Sequence, residues 1–260
     1  MISLKTNQDI EAIAQAGAIL AGLFEAILPE IRPGVSTADL DLFGENFIMS
    51  HHGATPSFKG LYGFPASLCI SVNHEVVHGI PTRKRILQEG DIVSIDGGVQ
   101  LGGWYADAAR TYAVGDVDAV SEVLLRVTEE ALHAGIAKAR AGNHLSDIGS
   151  AVQGVAESAG FTVVRDLVGH GIGREPHEEP QVPNFGKPGR GLVLQPGLVL
   201  AIEPMVNAGT PAVRTLSDRW TVVTADEKRS AHFVHTVAVT EDGPRVLTAV
   251  VQGQKGAAAT

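Results

Sequence analysis

Two aspartates, Asp96 and Asp107, lie in a stretch of chain that reads DIVSIDGGVQLGGWYADAART. Two apolar, partly alternating runs flank Gly102-Gly103, a pattern typical of a β-hairpin. If the turn is centred between Leu101 and Gly102, the aspartates face each other with Cβ atoms about 4.5–5.5 Å apart. Carboxylates so close on a half-buried sheet need a shared proton or a cation between them. The hairpin therefore predicts a metal site, although in isolation its acids would more often lie on a solvated face.

Further groups suited to a metal follow later in the chain. His170 lies among three glycines, His177 follows between two prolines, and Glu203 ends an apolar run. The glycines and prolines predict that both histidines project from a tight loop or a bulged strand. One such histidine is more often structural, but two of them beside three acids favour a site. Carboxylates with imidazoles suit Mn, Fe, Co or Zn, and two ions bridged by a carboxylate would activate a water molecule.

The elements that must position these groups occur twice in the sequence. A long helix over 7–28 and a shorter one from Ser36 to about 51 are matched by helices over 119–141 and 146–158. Gly90-x5-Asp96 matches Gly197-x5-Glu203 at an offset of 107 residues. The repeat predicts two α/β halves, about 1–117 and 118–251, related by a pseudo-two-fold axis that brings Glu203 towards Asp96.

Composition excludes several classes of protein. The chain has 260 residues, 44% of them hydrophobic, which suffices for a substantial core. Its net charge of −9 argues against nucleic acid as the primary ligand. The single cysteine fits a reducing compartment. A signal peptide and an uninterrupted membrane-spanning apolar run are both missing from the pattern, so we expect a cytoplasmic protein without a membrane partner.

Several motifs together resemble the type I methionine aminopeptidases of the pita-bread fold. These motifs are VHGIP (77–81), DIVSIDGG (91–98), GHGIGREPHEEP (169–180) and AIEPMVNAG (201–209). The resemblance extends from the first helix to about Thr248. It implies an α+β fold whose two related halves share a curved antiparallel sheet covered by helices. We expect one catalytic domain over 1–251 and a disordered tail over 252–260.

The resemblance also implies an activity and its residues. Initiator methionine would be removed from nascent polypeptides whose second residue is small, with transient ribosome contact and a monomeric enzyme. Asp96, Asp107, His170 and Glu203 would bind one or two ions of Co, Mn, Fe or Zn, with Asp107 bridging. Catalysis would use three residues: His177 on the scissile carbonyl, His78 on the leaving peptide nitrogen and Glu203 as proton acceptor.

The methionine pocket implied by the resemblance consists of Phe64, Cys69 and Trp220, which are apolar or soft groups suited to a thioether. Two of them have a structural alternative: Cys69 as a buried strand residue and Trp220 as a core anchor. His78, which lies outside the pocket, has the alternative of a residue that fixes its own turn. Leu61 and Pro176 replace aromatic residues that the family usually has. We expect a more open pocket with weaker side-chain selectivity.

One departure from the family affects the metal centre itself. Val234 stands where the family has a glutamate that bridges both ions, and His232 replaces a glutamine two residues earlier. Strand alternation places positions 232 and 234 on one face. Two hypotheses follow: the site is rebuilt around one ion with the help of His232, or it is degenerate and the histidine is incidental.

Two other functions are compatible with the sequence. A peptidase of the aminopeptidase P or prolidase kind shares the acid spacing, but those enzymes usually carry an additional amino-terminal domain. A non-catalytic or impaired peptide-binding protein of the same fold is compatible with Val234. The three acids and two loop histidines favour an enzyme, because a binding module has no need for a self-repelling cluster of charges.

Overall fold

The computed structural model describes residues 2–249. The tail expected at 252–260 lies outside the described residues. Four α-helices are present: α1 (Asn7–Ile27), α2 (Thr37–Met49), α3 (Ala119–Lys138) and α4 (Leu145–Ser158). They agree with the predicted helices to within a few residues. Capping boxes start α1 at Thr6 and α2 at Ser36, where each hydroxyl accepts the backbone N–H of an aspartate three residues later.

Fifteen strands are described in the same range. They are β1 (Ala54–Pro56), β2 (Leu68–Val72), β3 (Glu75–Val77), β4 (Ile92–Leu101), β5 (Trp104–Ala113), β6 (Thr162–Val163), β7 (Gly169–Gly171), β8 (Glu178–Val182), β9 (Val199–Ile202), β10 (Met205–Asn207), β11 (Val213–Thr215), β12 (Val222–Thr224), β13 (Ser230–His232), β14 (Val234–Thr240) and β15 (Gly243–Val246). Nine of them form an antiparallel sheet with the path β1-β4-β5-β14-β9-β7-β8, in which β2 also pairs with β4 and β15 with β14. Two three-stranded sheets, β13-β10-β6 and β11-β12-β3, complete the fold.

The internal repeat is visible in the backbone. Gly34 and Gly142 precede the second helix of each half and adopt left-handed φ values of 92° and 88°. The residue that starts each of these helices forms an isolated bridge, Ser36 with Ile86 and His144 with Val193. The same local structure therefore recurs at the offset of 107 or 108 residues that the sequence shows.

Two hydrophobic clusters hold the helices to the nine-stranded sheet. One gathers α1 and α2 against β2, β4 and β5, and the other gathers α3 and α4 against β8, β9 and β14. Segment 7–30 is apolar enough by composition to cross a membrane, but half of its most apolar window is buried inside the protein. The burial of Phe24 and Leu20 against the sheet explains this apolar composition.

The predicted hairpin is present, but its predicted register is wrong by two residues. Both Gly102 and Gly103 adopt left-handed φ, 58° and 79°, and form a two-residue turn between Leu101 and Trp104. Asp107 consequently faces Gly98, and Asp96 faces Ala109. The two aspartates are diagonal neighbours on one face of the hairpin, a relationship in which Cα atoms lie about 7–8 Å apart.

Candidate metal centre and active site

A cavity of about 530 Å³ opens at the middle of the nine-stranded sheet and contains all of the predicted site residues. Asp96 reaches it from β4, Asp107 from β5 and His170 from β7. Glu203 follows directly after β9. Because β4, β5, β9 and β7 are brought together in one sheet, four donors that span more than a hundred residues of sequence line the same cavity.

His170 is the centre of this group. Its Nε2 atom lies 3.5 Å from Oδ2 of Asp107 and 3.4 Å from Oε1 of Glu203. Its Nδ1 atom lies 2.9 Å from the carbonyl oxygen of Gly171. A carbonyl oxygen only accepts, so Nδ1 carries a proton and donates it, and the ring is fixed with Nε2 towards the acids. A bulge between His170 and Gly171 in the β7–β8 pairing gives the local backbone the irregularity that the glycines predicted.

Burial shifts the ionisation of these groups strongly. Desolvation, with added repulsion from Asp107 and Glu203, raises the pKa of Asp96 well above its usual value. Burial also raises the pKa of Glu203 to about 8. Burial alone would lower the pKa of His170, but its contacts with Asp107 and Glu203 outweigh this and raise it to about 9. The cluster therefore disfavours three simultaneous negative charges.

The donor set fits a divalent transition-metal ion. Oδ1 of Asp96 and Oδ1 of Asp107 are buried and have no hydrogen-bond partner, which is costly for carboxylate oxygens unless a cation is near. Three carboxylates and an imidazole match the preferences of Mn, Fe, Co and Zn. Within residues 2–249 no three such side chains converge to full ligand geometry, so the fit rests on donor chemistry and on the unpartnered oxygens.

Two further histidines border the metal-ligand candidates. The His177 ring lies edge-on to that of His170, with centroids 4.5 Å apart and planes at 86°. His78 adopts a left-handed φ of 58°. The next residue is Gly79, and a Cβ atom at this position would lie only 2.3 Å from the carbonyl oxygen of Ile70. Desolvation lowers the pKa of both histidines, and His170 lowers that of His177 further. Both rings are therefore held neutral near pH 7.

The predicted pocket residues form one wall of the same cavity. Phe64 and Trp220 meet edge-to-face with ring centroids 5.1 Å apart. Cys69 is buried and lies opposite Asp96 in the β2–β4 pairing, which places the thiol beside the acids. Leu61 also lines the cavity, whereas Pro176 is buried beside His177 without lining it.

Sequence reasoning missed several residues of the site. Tyr62 stacks on His177 with ring centroids 5.9 Å apart, and its hydroxyl lies 3.5 Å from Nδ1 of that ring. Lys5 forms a buried ion pair with Glu178 beside the cavity. Residues 56–65, a loop rich in glycine, proline and aromatic residues, gave a weak signal for Tyr62, but no pattern in the sequence indicated Lys5. Val234 does not line the cavity and packs in an apolar cluster with Ala109 and Ala201.

Comparison with known proteins agrees with this arrangement. The profile of metallopeptidase family M24 matches residues 11–241. The chain belongs to metallopeptidase family M24. Within this M24 family, the chain is 55% identical to a methionine aminopeptidase of Clostridium perfringens over 96% of its own length and all of the relative. It is 50% identical to methionine aminopeptidase 1 of Bacillus subtilis, again over 96% of this chain and all of the relative.

Solved structures give the same result for the fold of this M24 protein. A methionine aminopeptidase from Thermotoga maritima superposes with a TM-score of 0.94 at 44% identity, covering 96% of this chain and all of that one. The resemblance to type I methionine aminopeptidases and the pita-bread fold are thus confirmed. A prolidase from Pyrococcus furiosus superposes with a TM-score of 0.76 at 24% identity and is covered over 66% of its length. The similarity to the prolidase shows a shared fold only.

Proposed function

We propose that this M24 protein is a metal-dependent methionine aminopeptidase that removes initiator methionine from polypeptides with a small second residue. The observation that supports this most directly is the single cavity in which four metal donors adjoin an apolar pocket. The high identity to methionine aminopeptidases over nearly the whole chain supports it further. A bound substrate would place its first side chain against Phe64 and Trp220 and its first peptide bond beside the donors.

The residues that would hold the metal are Asp96, Asp107, His170 and Glu203, for one ion or two. A divalent ion of Co, Mn, Fe or Zn held there would polarise the scissile carbonyl and make the attacking water more acidic. Its charge would also stabilise the ionised carboxylates, which burial alone disfavours. Glu203 then accepts a proton from the attacking water, as a positioned carboxylate does in general base catalysis.

The neutral histidines supply hydrogen bonds to the reacting peptide. His177 donates to the carbonyl oxygen and then to the tetrahedral intermediate, where negative charge develops. The neutral ring then has its only proton on Nε2, so the Tyr62 hydroxyl donates to Nδ1 and helps to orient the ring. His78 lies on the side of the leaving peptide nitrogen. Cys69, whose pKa is raised well above the usual value by burial, remains a thiol and contributes a soft surface for the thioether.

The remaining features of the proposal concern context. The chain would act as one catalytic domain made of two halves, about 1–117 and 118–251. Its partners would be the amino termini of nascent polypeptides, met in the cytoplasm during transient contact with the ribosome. The enzyme would act as a monomer.

The test is methionine release from Met-Ala-Ser by chelator-stripped protein titrated with Mn(II) or Co(II). We expect release that depends on added metal and saturates at one or two equivalents. Acetyl-Met-Ala-Ser is the control, because the aminopeptidase needs a free amino terminus. A Met-Pro dipeptide tests for prolidase-type activity. Absence of methionine release at every metal concentration would refute the proposed function.

A further inference from the structure

His232 is a buried imidazole at the edge of the metal-donor cluster. It ends β13, is 1% exposed and lines the same cavity as the four donors. Its backbone is fixed to the aspartate-bearing hairpin: the N–H of His232 donates to the Thr111 hydroxyl, and that hydroxyl donates to the His232 carbonyl, each over 2.8 Å. These two bonds hold the backbone of His232 against the hairpin that carries Asp107.

The hydrogen bonds of the ring determine which nitrogen is free. Nδ1 of His232 lies 3.2 Å from the carbonyl oxygen of Pro204, the residue after Glu203. Because this oxygen only accepts, Nδ1 carries the proton, and the neutral ring keeps its lone pair on Nε2. In residues 2–249 the structure gives this Nε2 no hydrogen-bond partner. A basic nitrogen with a free lone pair thus borders the cavity.

His170 and His232 share this arrangement. In each ring Nδ1 donates to a main-chain carbonyl, of Gly171 in one case and of Pro204 in the other. Histidines that bind metals almost always use the second nitrogen in this way, which fixes the ring and its tautomer. The neighbouring strand offers no competing donor at this position, since Val234 packs against Ala109 and Ala201.

We propose that His232 is a further ligand, through Nε2, of the divalent ion bound by Asp96, Asp107, His170 and Glu203. The proposal rests on the metal centre of the proposed function and adds a second imidazole to it. Three carboxylates with two imidazoles favour the later first-row ions over Mg or Ca more strongly than an oxygen-rich set would. His232 would thereby supply a donor in the part of the centre where β14 presents only Val234.

The first experiment measures Co(II) binding to stripped protein by calorimetry and by visible absorption. In His232→Gln we expect at least a tenfold loss of affinity, of the order seen when groups that support a metal are removed, together with a changed Co(II) absorption spectrum. The matched control is His235→Gln, because His235 lies on the adjacent strand and does not line the cavity. The control variant should bind Co(II) like the wild type.

A second experiment uses the wild type and does not depend on a variant that folds. In the Co(II) protein, each ligating imidazole with a protonated Nδ1 gives one strongly shifted, exchangeable proton signal in the NMR spectrum. Two such signals support the proposal, whereas a single signal overturns it.

These measurements distinguish a failure of the ligand role of His232 from a failure of the proposed aminopeptidase function. Unchanged Co(II) affinity and spectrum in His232→Gln would exclude His232 as a ligand while the aminopeptidase function stood. Loss of methionine release in that variant with unchanged Co(II) binding would also reject the ligand role and assign His232 to the substrate. Failure of the wild type to bind Co(II) at all would overturn the metal centre itself, and the proposed function with it.

Discussion

The Nζ atom of Lys5 lies 2.5 Å from Oε2 of Glu178, and the two side chains are only 3% and 15% exposed. The other carboxylate oxygen of Glu178 accepts the backbone N–H groups of Arg174 and Glu175. The Glu178 carboxylate thus holds the loop between β7 and β8 in place, and this loop carries His177. The ion pair connects the start of the chain to a residue that we propose to act on the substrate.

We expect Lys5→Met to lower the free energy of unfolding by about 3 kcal/mol, because it leaves Glu178 buried without its partner. The value of kcat/KM should fall as well, since the loop of His177 is less well held. Urea denaturation and methionine release would measure the two effects. The matched control is Lys59→Met, which removes an ion pair with Glu45 whose side chains are 50% and 30% exposed. There the loss should stay below about 1 kcal/mol, and an equal loss in both variants would contradict the role of burial.

Substitution of Glu203 tests the proposed proton acceptor. Glu203→Gln keeps the size of the side chain and its oxygen but cannot accept a proton. We expect kcat to fall about 10²- to 10⁴-fold with Mn(II) at saturation, the usual contribution of general acid–base catalysis. Glu129→Gln, on the exposed side of α3, serves as the control. Full activity of Glu203→Gln would exclude this role.

The apolar wall of the cavity is tested by Trp220→Ala. This change removes the ring that packs edge-to-face on Phe64. For Met-Ala-Ser we expect kcat/KM to fall about 10- to 200-fold, the range that differences in hydrophobic pocket contacts provide. The slower substrate Ala-Ala-Ser has no side chain long enough to reach this wall, so its kcat/KM should change little. Equal losses for both peptides would indicate a general defect instead of a pocket for methionine.

Acid should destabilise the protein through His235. Burial, with further effects from Arg110 and His133, lowers the pKa of His235 to about 4. The unfolded chain binds this proton near pH 6.5 and the folded protein only near pH 4, so stability is complete above pH 6.5 and is lost as the pH falls towards 4. The contribution of His235 to this loss should reach about 2 kcal/mol at pH 5.

Denaturation at pH 7.5 and pH 5 in the wild type and in His235→Gln measures this contribution. The variant should lose less stability between the two pH values, because glutamine does not titrate. An identical pH dependence in both proteins would show that His235 does not carry the effect.

Much of the fold and of the site could be predicted from the sequence because the signals are local. Ser36 indicated the start of the second helix, whose first residue is Thr37, and the Gly102-Gly103 pair indicated a hairpin. The repeat at 107 residues related Asp96 to Glu203, which line one cavity in the structure. The chemical types of the donors already indicated the class of metal.

The hairpin register shows the limit of such local reasoning. Both glycines occupy the turn, so Asp107 lies opposite Gly98 instead of Asp96. The sequence contains the glycines, but whether Leu101-Gly102 or Gly102-Gly103 forms the two-residue turn depends on φ values and on the packing of each face. A shift by two residues keeps both acids on the same side of the sheet. The two aspartates can therefore still share one site, although the predicted register was wrong.

The sequence by itself determined the helices, the hairpin, the repeat and the types of metal donor, because each depends on neighbouring residues or on a regular offset. Only the tertiary structure decided the ion pair of Lys5 with Glu178, the stacking of Tyr62 on His177 and the free nitrogen of His232. The first two contacts join residues more than a hundred positions apart. Nε2 of His232 is free because the proton of the ring is on Nδ1, which donates to the carbonyl oxygen of Pro204, between β9 and β10. Such relationships arise from the packing of whole elements and leave no periodic trace in the chain.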